Sequence, residues 1–409
     1  MFQNSGALIS MGVALAVGAF VAPAEAQRAI PRTGNVIFLH PDGMGLNHFN
    51  AMRAFYYGPD AVTNYDRLRF SAMYRGGMTD RIGGTSNGGA TTHAFGYRVE
   101  GLGSFGKDGN GNLNPPTDRF ILALSGFPGS LMRQAANSGH PVGVVNDGNI
   151  GEPGTGCFLA EVGNRDNWNE IARQIIQGRP GFSDQDPWVI FGGGERNFRP
   201  IGVPTVHTDY LRGGSNLLNT GQRDDGLDLI QEAINKGYRV IFTRAQFDQL
   251  KADLASAASN PSSPNFAPKV LGLFAYHHIM NDTSEANLLA RGLTFSYDSS
   301  NLADVLNKTG RFVLFGAHPD PNAVVPGTNL SIHDPDSVNP PSAAEMTDVA
   351  LTILNRRARQ VGKPFMLVTE PESCDNFGNS GNGIGTLAAA KIADDMMGVA
   401  LNFIAQNPN

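Results

Sequence analysis

Short apolar runs rich in Val, Ile, Leu and Phe alternate along this chain with longer segments of helical periodicity. Seven such runs predict strands, at 35–40, 141–145, 188–191, 239–242, 270–274, 311–315 and 365–369. Several of them lack polar alternation, which is typical of strands buried on both faces in a parallel sheet. Alternating strands and helices therefore predict an α/β fold, with a doubly wound, mostly parallel central sheet and helices on both faces.

The helices are expected mainly between these strands. Their predicted positions are about 119–138, 167–177, 226–236, 244–257, 342–360 and 385–406. The helix at 342 has the best-defined start, because Pro341 precedes it and Ser342 and Glu345 form a capping box. Two stretches rich in Gly, Pro, Asn and Asp, 196–223 and 281–339, are interpreted as long loops over the face of the sheet.

Length and charge exclude some classes of function. A chain of 409 residues is long enough for one large or two medium domains. It carries 31 basic and 37 acidic residues, a net charge of −6, and this mild acidity argues against a nucleic-acid partner. The two cysteines, Cys157 and Cys374, are too few to indicate a disulfide framework, and whether they pair stays open.

The N-terminus has the pattern of an export signal. Residues 7–22 are almost entirely apolar or small, and Ala24, Glu25 and Ala26 form an A-x-A cleavage site. We predict a signal peptide at 1–26, one domain at 27–409, and a periplasmic or secreted mature protein without a stable membrane anchor. An uncleaved anchor is the alternative, although the stretch is short for a membrane span.

Acidic residues follow two predicted strands at the point where each strand ends. Asp42 comes after the first strand, and Glu370 and Asp375 come after the last. Ligand sites in open α/β sheets form beyond the carboxyl ends of the strands. Carboxylates brought together there can hold a divalent cation, whereas each one taken alone could be a turn former or a helix cap.

Two further residues are candidates for binding phosphate. Ser86 lies in a glycine-rich loop leading into a helix, where backbone N–H groups and the helix dipole favour an anion. The alternative for Ser86 is an ordinary N-cap. Arg165 ends a segment expected to be helical, and its guanidinium could hold two phosphate oxygens. The alternative for Arg165 is a solvated surface residue.

In this order, the segments resemble the alkaline phosphatase family from about residue 35 to the end of the chain. The matching segments are 35–45, 86–96, 138–145, 161–165, 191–198, 341–347 and 366–375. The resemblance implies Ser86 as nucleophile, Arg165 as phosphate-binding residue, and Asp42, Thr155, Glu370 and Asp375 as metal ligands. A one-residue shift of the match would put Gly154 in the place of Thr155, with Glu152 beside it.

The resemblance also implies an activity. It is the hydrolysis of small phosphate monoesters through a phosphoserine, assisted by Zn²⁺ and Mg²⁺. Asp42, Glu370 and Thr155 would hold the Mg²⁺, and Asp375 would be a zinc ligand. A homodimer is left open.

The sequence departs from the family at several positions. Thr85 stands where the family usually has aspartate, and Asn379 stands where it has a zinc histidine. The chain ends at Asn409 without an Asp-His pair, so we expect the last strands of the sheet and the second zinc site to be absent. The pair His277 and His278 is expected in the core or at the surface rather than at a metal.

These departures leave other functions open. One alternative is a truncated or relic phosphatase-like protein that binds metal or phosphate without turnover. A second is a phosphodiesterase or a sulfatase-like relative on the same scaffold, because a fold alone does not determine the substrate.

Overall fold

The computed structural model describes residues 34–209, 218–280 and 340–407. Its strands are β1 (Val36–Leu39), β2 (Val142–Asn149), β3 (Val189–Gly193), β4 (Pro204–Asp209), β5 (Leu218–Thr220), β6 (Arg239–Ile241), β7 (Val270–Leu273) and β8 (Met366–Glu370). Six of them form one sheet in the order β1-β8-β2-β3-β7-β6, and every neighbouring pair is parallel. Strands β4 and β5 form a separate antiparallel pair.

Helices connect these strands. They are α1 (Leu46–Tyr56), α2 (Ser86–Phe95), α3 (Leu131–Asn137), α4 (Pro153–Gly156), α5 (Trp168–Gln177), α6 (Leu229–Asn235), α7 (Arg244–Ser256), α8 (Ala343–Val361), α9 (Ser373–Asn379) and α10 (Gly383–Gln406). The capping box expected at the start of α8 is present, with Ser342 Oγ accepting from the Glu345 backbone N–H.

The sheet is covered on both faces because its strands are apolar on both. Val144 and Val368 pack with helices α2, α3, α5 and α6 on one face. Val145 and Leu367, the next residue along β2 and the preceding one along β8, pack with α7, α8 and α10 on the other. Burying an aliphatic side chain of this kind stabilises the fold by about 1.5–3 kcal/mol. The predicted α/β fold with a parallel sheet and helices on both faces is therefore confirmed.

Several predictions about individual elements were wrong. The helix predicted at 119–138 begins only at Leu131, because Gly126 and Gly129 adopt positive φ angles and Ser130 then caps the helix. Helix α1 was not predicted. The loop predicted at 196–223 contains a 3₁₀ turn ending at Asn197 and the β4–β5 pair.

Some predictions fall outside the described residues. These are the signal peptide at 1–26, the strand at 311–315 and the loop at 281–339. Cys157 and Cys374 are both buried and carry free thiols. In the part of the chain that the structure describes, no helix is both long enough and apolar enough to cross a membrane.

Candidate active site

One cavity of about 1020 Å³ lies beyond the carboxyl ends of β1, β8 and β2. Its lining includes four of the six predicted catalytic and metal-binding residues, namely Asp42, Ser86, Arg165 and Asp375. The remaining two, Thr155 and Glu370, are fully buried and are not part of the lining. The topology of the sheet thus brings together residues that are up to 333 positions apart, from Asp42 to Asp375.

Asp42 and Asp375 approach each other through a tight turn after β1. Gly43 has φ +67°, and a Cβ at this position would lie only 2.6 Å from the Cα of Asp375. Only glycine fits such a contact. Burial and, to a lesser extent, the negative charge of Asp42 together raise the pKa of Asp375 to about 6. A bound cation would relieve the repulsion between the two carboxylates.

Ser86 is the first residue of α2, but it does not cap the helix. The N-cap is Thr85, whose Oγ1 accepts from Gly88 N at 3.2 Å and donates to the carbonyl of Gly101. The alternative interpretation of Ser86 as N-cap is therefore wrong. Among the described residues the Ser86 hydroxyl has no hydrogen-bond partner, so it lies at the helix N-terminus with its oxygen available to a ligand.

Arg165 lies in a turn, not in the helical region predicted for residues 161–165. Its Nη2 donates to Glu152 Oε2 at 3.1 Å, and its side chain is 35% exposed. It is therefore not a freely solvated surface arginine. A guanidinium has five N–H donors, so the pair with Glu152 leaves further donors for an anion in the cavity.

Glu370 ends β8 and lies beside Asn146 of β2. Asn146 Nδ2 donates to Glu370 Oε2 at 2.6 Å, whereas Glu370 Oε1 is buried without a partner among the described residues. Burial raises the pKa of Glu370 well above its usual value, and the charges of Asp42 and Glu152 add to this effect. An unsatisfied, fully buried carboxylate oxygen near other carboxylates suits a hard cation such as Mg²⁺.

Gly154 and Thr155 make different contacts with Glu370. A Cβ on Gly154 would lie 2.0 Å from Glu370 Oε1, so the carboxylate packs directly on this glycine. The Thr155 hydroxyl instead accepts from Asn146 Nδ2 at 3.1 Å and donates to the Ile150 carbonyl at 3.2 Å. The Thr155 side chain therefore reaches Glu370 only through Asn146, whereas the Thr155 backbone N–H interacts with the Glu370 carboxylate directly.

Asn379 occupies the position where the resemblance implies a zinc histidine. It is exposed, and its Nδ2 donates to Asp375 Oδ2 at 2.8 Å. An amide is a poor zinc ligand compared with an imidazole. Among the described residues, Asp42 and Asp375 belong to no group of three His, Cys, Asp or Glu side chains with closely spaced ligand atoms.

Two histidines in the wall of the cavity form a cluster that was not anticipated from the sequence. The rings of His40 and His93 meet edge to face with centroids 4.8 Å apart, and Tyr74 Oη lies 2.9 Å from His93 Nε2. Burial and, to a lesser extent, the neighbouring His40 together lower the pKa of His93 to about 4. At neutral or alkaline pH this wall of the cavity is therefore aromatic and uncharged. The sequence did contain a signal for His93. Gly89 and His93 follow Ser86 by one and two helical turns, so all three lie on the same face of α2 and line the cavity.

A group of three further residues, Glu152, His278 and Glu372, was also not predicted from the sequence. Their ligand atoms lie within 4.8 Å of one another and all three side chains are buried. His277 and His278 were expected in the core or at the surface, and both are buried. The position of His278 and Glu372 shortly after predicted strands could have pointed to this group.

Solved alkaline phosphatases share this fold. The cold-active enzyme of Shewanella sp. has 20% sequence identity and a TM-score of 0.55, and the match covers 92% of this chain and 65% of that one. For the enzyme of the Antarctic bacterium TAB5 the identity is 17% and the TM-score 0.55, with coverages of 91% and 76%. For the Thermus thermophilus enzyme the values are 17%, 0.55, 95% and 62%. This chain thus spans less than two thirds of the Shewanella and Thermus enzymes.

The family assignment from the sequence agrees with these structural similarities. The family model for alkaline phosphatase matches residues 33–409. The chain belongs to the alkaline phosphatase family, as the order of its motifs predicted.

Proposed function

We propose that this protein hydrolyses small phosphate monoesters through a phosphoserine on Ser86. The main support is one observation, the meeting of Ser86, Arg165, Asp42 and Asp375 around a single cavity. Membership of the alkaline phosphatase family supports the same reaction.

In this proposal the Ser86 Oγ attacks the phosphorus and forms a covalent bond to it, while the alcohol of the ester leaves on the opposite side. The N-terminus of α2 favours the negative charge of the phosphoryl group, because its first backbone N–H groups and its dipole face the cavity at Ser86. Arg165 would keep its contact with Glu152 and use its remaining N–H donors to bind two equatorial phosphate oxygens. Water then hydrolyses the phosphoserine and releases phosphate.

Divalent cations are part of the proposal. Asp42 and Glu370 would hold Mg²⁺, with Thr155 one hydrogen bond away through Asn146. Asp375 would contribute to a Zn²⁺ site beside Asp42. Bound there, the cations would favour the ionised Ser86 hydroxyl and neutralise charge on the phosphoryl oxygens. The unsatisfied Glu370 Oε1 supports the magnesium assignment, and structures of TAB5 alkaline phosphatase variants are described with Mg bound in the M3 site.

The second candidate function is binding of metal or phosphate without turnover. Two observations favour it. Asn379 offers an amide where the family resemblance implies an imidazole, and Arg165 is held by Glu152. The first weakens the zinc site and the second weakens the grip of Arg165 on phosphate, but neither prevents an anion or a cation from binding.

An assay with p-nitrophenyl phosphate at alkaline pH, with added Zn²⁺ and Mg²⁺, separates the two candidates. We expect turnover in the wild type and none in Ser86→Ala. The matched control is Ser380→Ala, a serine in the same cavity that has no role in the proposed reaction. Acid quenching with labelled phosphate should trap label on the wild type and not on Ser86→Ala. Phosphate binding without turnover or label in the wild type would establish the second function.

The export signal and the domain boundary remain proposals as well. We propose that residues 1–26 are removed and that 27–409 act as one domain in the periplasm or outside the cell. N-terminal sequencing of the exported protein should begin at Gln27. A first residue at Met1 in a membrane fraction would favour the anchor instead. Sedimentation of the purified protein tests for a homodimer.

A further inference from the structure

Glu152, His278 and Glu372 form a cluster with no role in the proposed reaction. Each follows the end of a different strand of the central sheet. Glu152 comes three residues after β2, His278 five residues after β7, and Glu372 two residues after β8. His278 Nε2 lies 3.0 Å from Glu152 Oε1 and 3.8 Å from Glu372 Oε1. The three side chains are at most 8% exposed.

The second carboxylate oxygen of Glu372 points to a missing ligand. Glu372 Oε2 is buried and has no hydrogen-bond partner among the described residues. Neighbouring Asp147 differs, because it accepts from the backbone N–H groups of Glu372 and Ser373 at 2.7 and 3.1 Å and from the Ser373 hydroxyl. A buried carboxylate oxygen without a partner is costly, whereas a bound cation would satisfy it.

We propose that Glu152, His278 and Glu372 bind a divalent transition-metal ion, with Zn²⁺ as its representative. The donor set is one imidazole nitrogen and two carboxylates. Imidazole suits transition metals, whereas Mg²⁺ and Ca²⁺ prefer all-oxygen sites. In a tetrahedral zinc site, bonds of about 2.0–2.1 Å place ligand atoms about 3.3 Å apart. The two pairs that include His278 are 3.0 and 3.8 Å apart, and all three ligand atoms lie within 4.8 Å of one another. Side-chain shifts of about 1.5 Å or less therefore reach the tetrahedral spacing.

The surroundings of His278 fit a metal ligand. Asn376 Nδ2 lies 3.3 Å from His278 Nδ1. The oxygen and nitrogen of an amide are assigned from such contacts, and turning the Asn376 amide over presents Oδ1 to this ring nitrogen. Nδ1–H then donates to Asn376 Oδ1 and Nε2 keeps its lone pair for the metal. A hydrogen bond of this kind orients metal-binding imidazoles in general.

Glu152 links this site to the cavity. Its Oε1 faces His278, while its Oε2 accepts from Arg165 Nη2 at 3.1 Å. One carboxylate can therefore contact the metal and Arg165 at once. The metal site would hold Glu152, and through it Arg165, in place at the edge of the cavity.

The test counts metal and does not depend on turnover. The full chain, stripped with a chelator and dialysed against buffered Zn²⁺, is analysed for bound zinc, together with His278→Gln and Glu372→Gln. We expect each variant to lose one equivalent found in the wild type, or to bind it at least about tenfold more weakly. The matched control is His277→Gln, because His277 is the adjacent buried imidazole, 3.9 Å from the His278 ring, and this variant should keep that equivalent.

A spectroscopic measurement identifies the ligand. Pulsed EPR of the Cu²⁺-loaded protein should report coupling to an imidazole nitrogen, absent in His278→Gln and present in His277→Gln. Circular dichroism establishes that each variant is folded, and if His278→Gln is not folded, Glu372→Gln decides. Unchanged zinc content in folded variants would overturn the proposal, as would equal loss in His277→Gln. Ser86→Ala should keep the equivalent, so an inactive enzyme and an absent site give different results.

Discussion

Two buried groups of charged residues in this molecule differ in how their charges are balanced. The first, which we term the paired network, consists of Arg133, Glu161, Arg179 and Asp184 and lies outside the lining of the site cavity. Arg179 donates to both oxygens of Asp184 at 2.8 and 2.9 Å and to Glu161 at 2.7 Å. Arg133 Nε lies 3.5 Å from Asp184. Two guanidinium groups face two carboxylates, so the group is balanced internally.

The second group lies at the carboxyl ends of the strands and is not balanced. Glu152, Glu370 and Glu372 are buried close to one another, and one oxygen each of Glu370 and Glu372 has no partner among the described residues. Arg165 and His278 both contact the same carboxylate, Glu152. Buried charges that are paired within the protein have a structural role, whereas an excess of buried negative charge indicates a site for cations.

The pKa values follow the same division. Burial alone would raise the pKa of Asp184, but hydrogen bonds from Arg179 and the charge of Arg133 lower it well below its usual range. Burial raises the pKa of Glu370 and Glu372, and neighbouring carboxylates raise it further. Replacing an acid by its amide should therefore lower the unfolding free energy in the paired network and raise it in the second group.

The largest effect is expected from Asp184→Asn. The substitution leaves two buried guanidinium groups with only one carboxylate, which should cost about 3–5 kcal/mol of unfolding free energy. Urea denaturation measures this loss. Asp166→Asn is the control, because Asp166 is exposed and its replacement should change stability by less than about 0.5 kcal/mol. Equal stability of the two variants would show that the paired network does not hold the fold.

The next effect is a pH dependence of opposite sign at two acids beside the second group, Asp147 and Asp375. Burial raises the pKa of Asp147 and of Asp375 from 3.8 to about 6. Because the folded state binds these protons more tightly, their contribution to stability is complete below pH 3.8 and is lost as the pH rises to about 6. Asp184 behaves in the opposite way, since its contribution is lost only as the pH falls below its usual pKa.

In the metal-stripped protein we therefore expect the unfolding free energy of the wild type, measured relative to Asp147→Asn, to fall by about 1–3 kcal/mol between pH 4 and pH 7. The difference between the two proteins isolates Asp147, because the other shifted groups titrate in both, including His93, whose lowered pKa has the opposite effect on stability. Added Zn²⁺ and Mg²⁺ should stabilise the wild type most at high pH, because cations bind the deprotonated carboxylates. The measurement is urea denaturation of both proteins at several pH values. A difference that stays constant or rises from pH 4 to pH 7 without metal would contradict the prediction.

A smaller effect is expected from Glu370→Gln. In the metal-free protein this variant should be more stable than the wild type, on the order of 1 kcal/mol, because it removes a buried negative charge among like charges. The amide oxygen can still accept from Asn146, and its N–H groups can face the neighbouring carboxylates. Thermal unfolding with and without Mg²⁺ tests this. The wild type should gain stability from Mg²⁺ and the variant should not; an equal gain in both would place the cation elsewhere.

Most of the fold could be predicted from local sequence patterns. The six sheet strands within the described residues were predictable because uninterrupted apolar runs suit strands covered on both faces, as at 142–145 and 366–369. The helix at 119–138 failed for a physical reason. Phe120 and Leu124 supply helical periodicity, but they are 67% and 75% exposed, and glycines at 126 and 129 end the pattern. Periodicity does not say whether an apolar face finds something to pack against.

The site was predictable only where each residue belongs to a local motif. Asp42, Ser86 and Asp375 follow strands or begin a helix, and the sequence shows this directly. The contact between Glu152 and His278 joins positions 126 apart and depends on the sheet order that brings the ends of β2, β7 and β8 together. Sequence spacing contains no information on that order.

The smallest change in stability, and the sharpest test of the unbalanced group, is expected from Asn379→His. Asn379 is exposed, so its replacement should alter the unfolding free energy by less than about 0.5 kcal/mol. It lies one helical turn from Asp375 and already contacts its carboxylate at 2.8 Å. An imidazole there would join Asp375 as a metal ligand and should raise zinc affinity about tenfold, which corresponds to about 1.4 kcal/mol. Isothermal titration with Zn²⁺ measures this.

Asn379→Gln is the control, because it keeps the amide and should leave zinc affinity unchanged. If His increases both zinc affinity and phosphatase turnover, the amide limits an otherwise competent site. If zinc affinity rises while turnover stays absent, the missing imidazole is not what separates binding from catalysis. If zinc affinity does not change, Asp375 does not belong to a zinc site, and the excess negative charge around Glu152, Glu370 and Glu372 must be neutralised by cations bound away from α9.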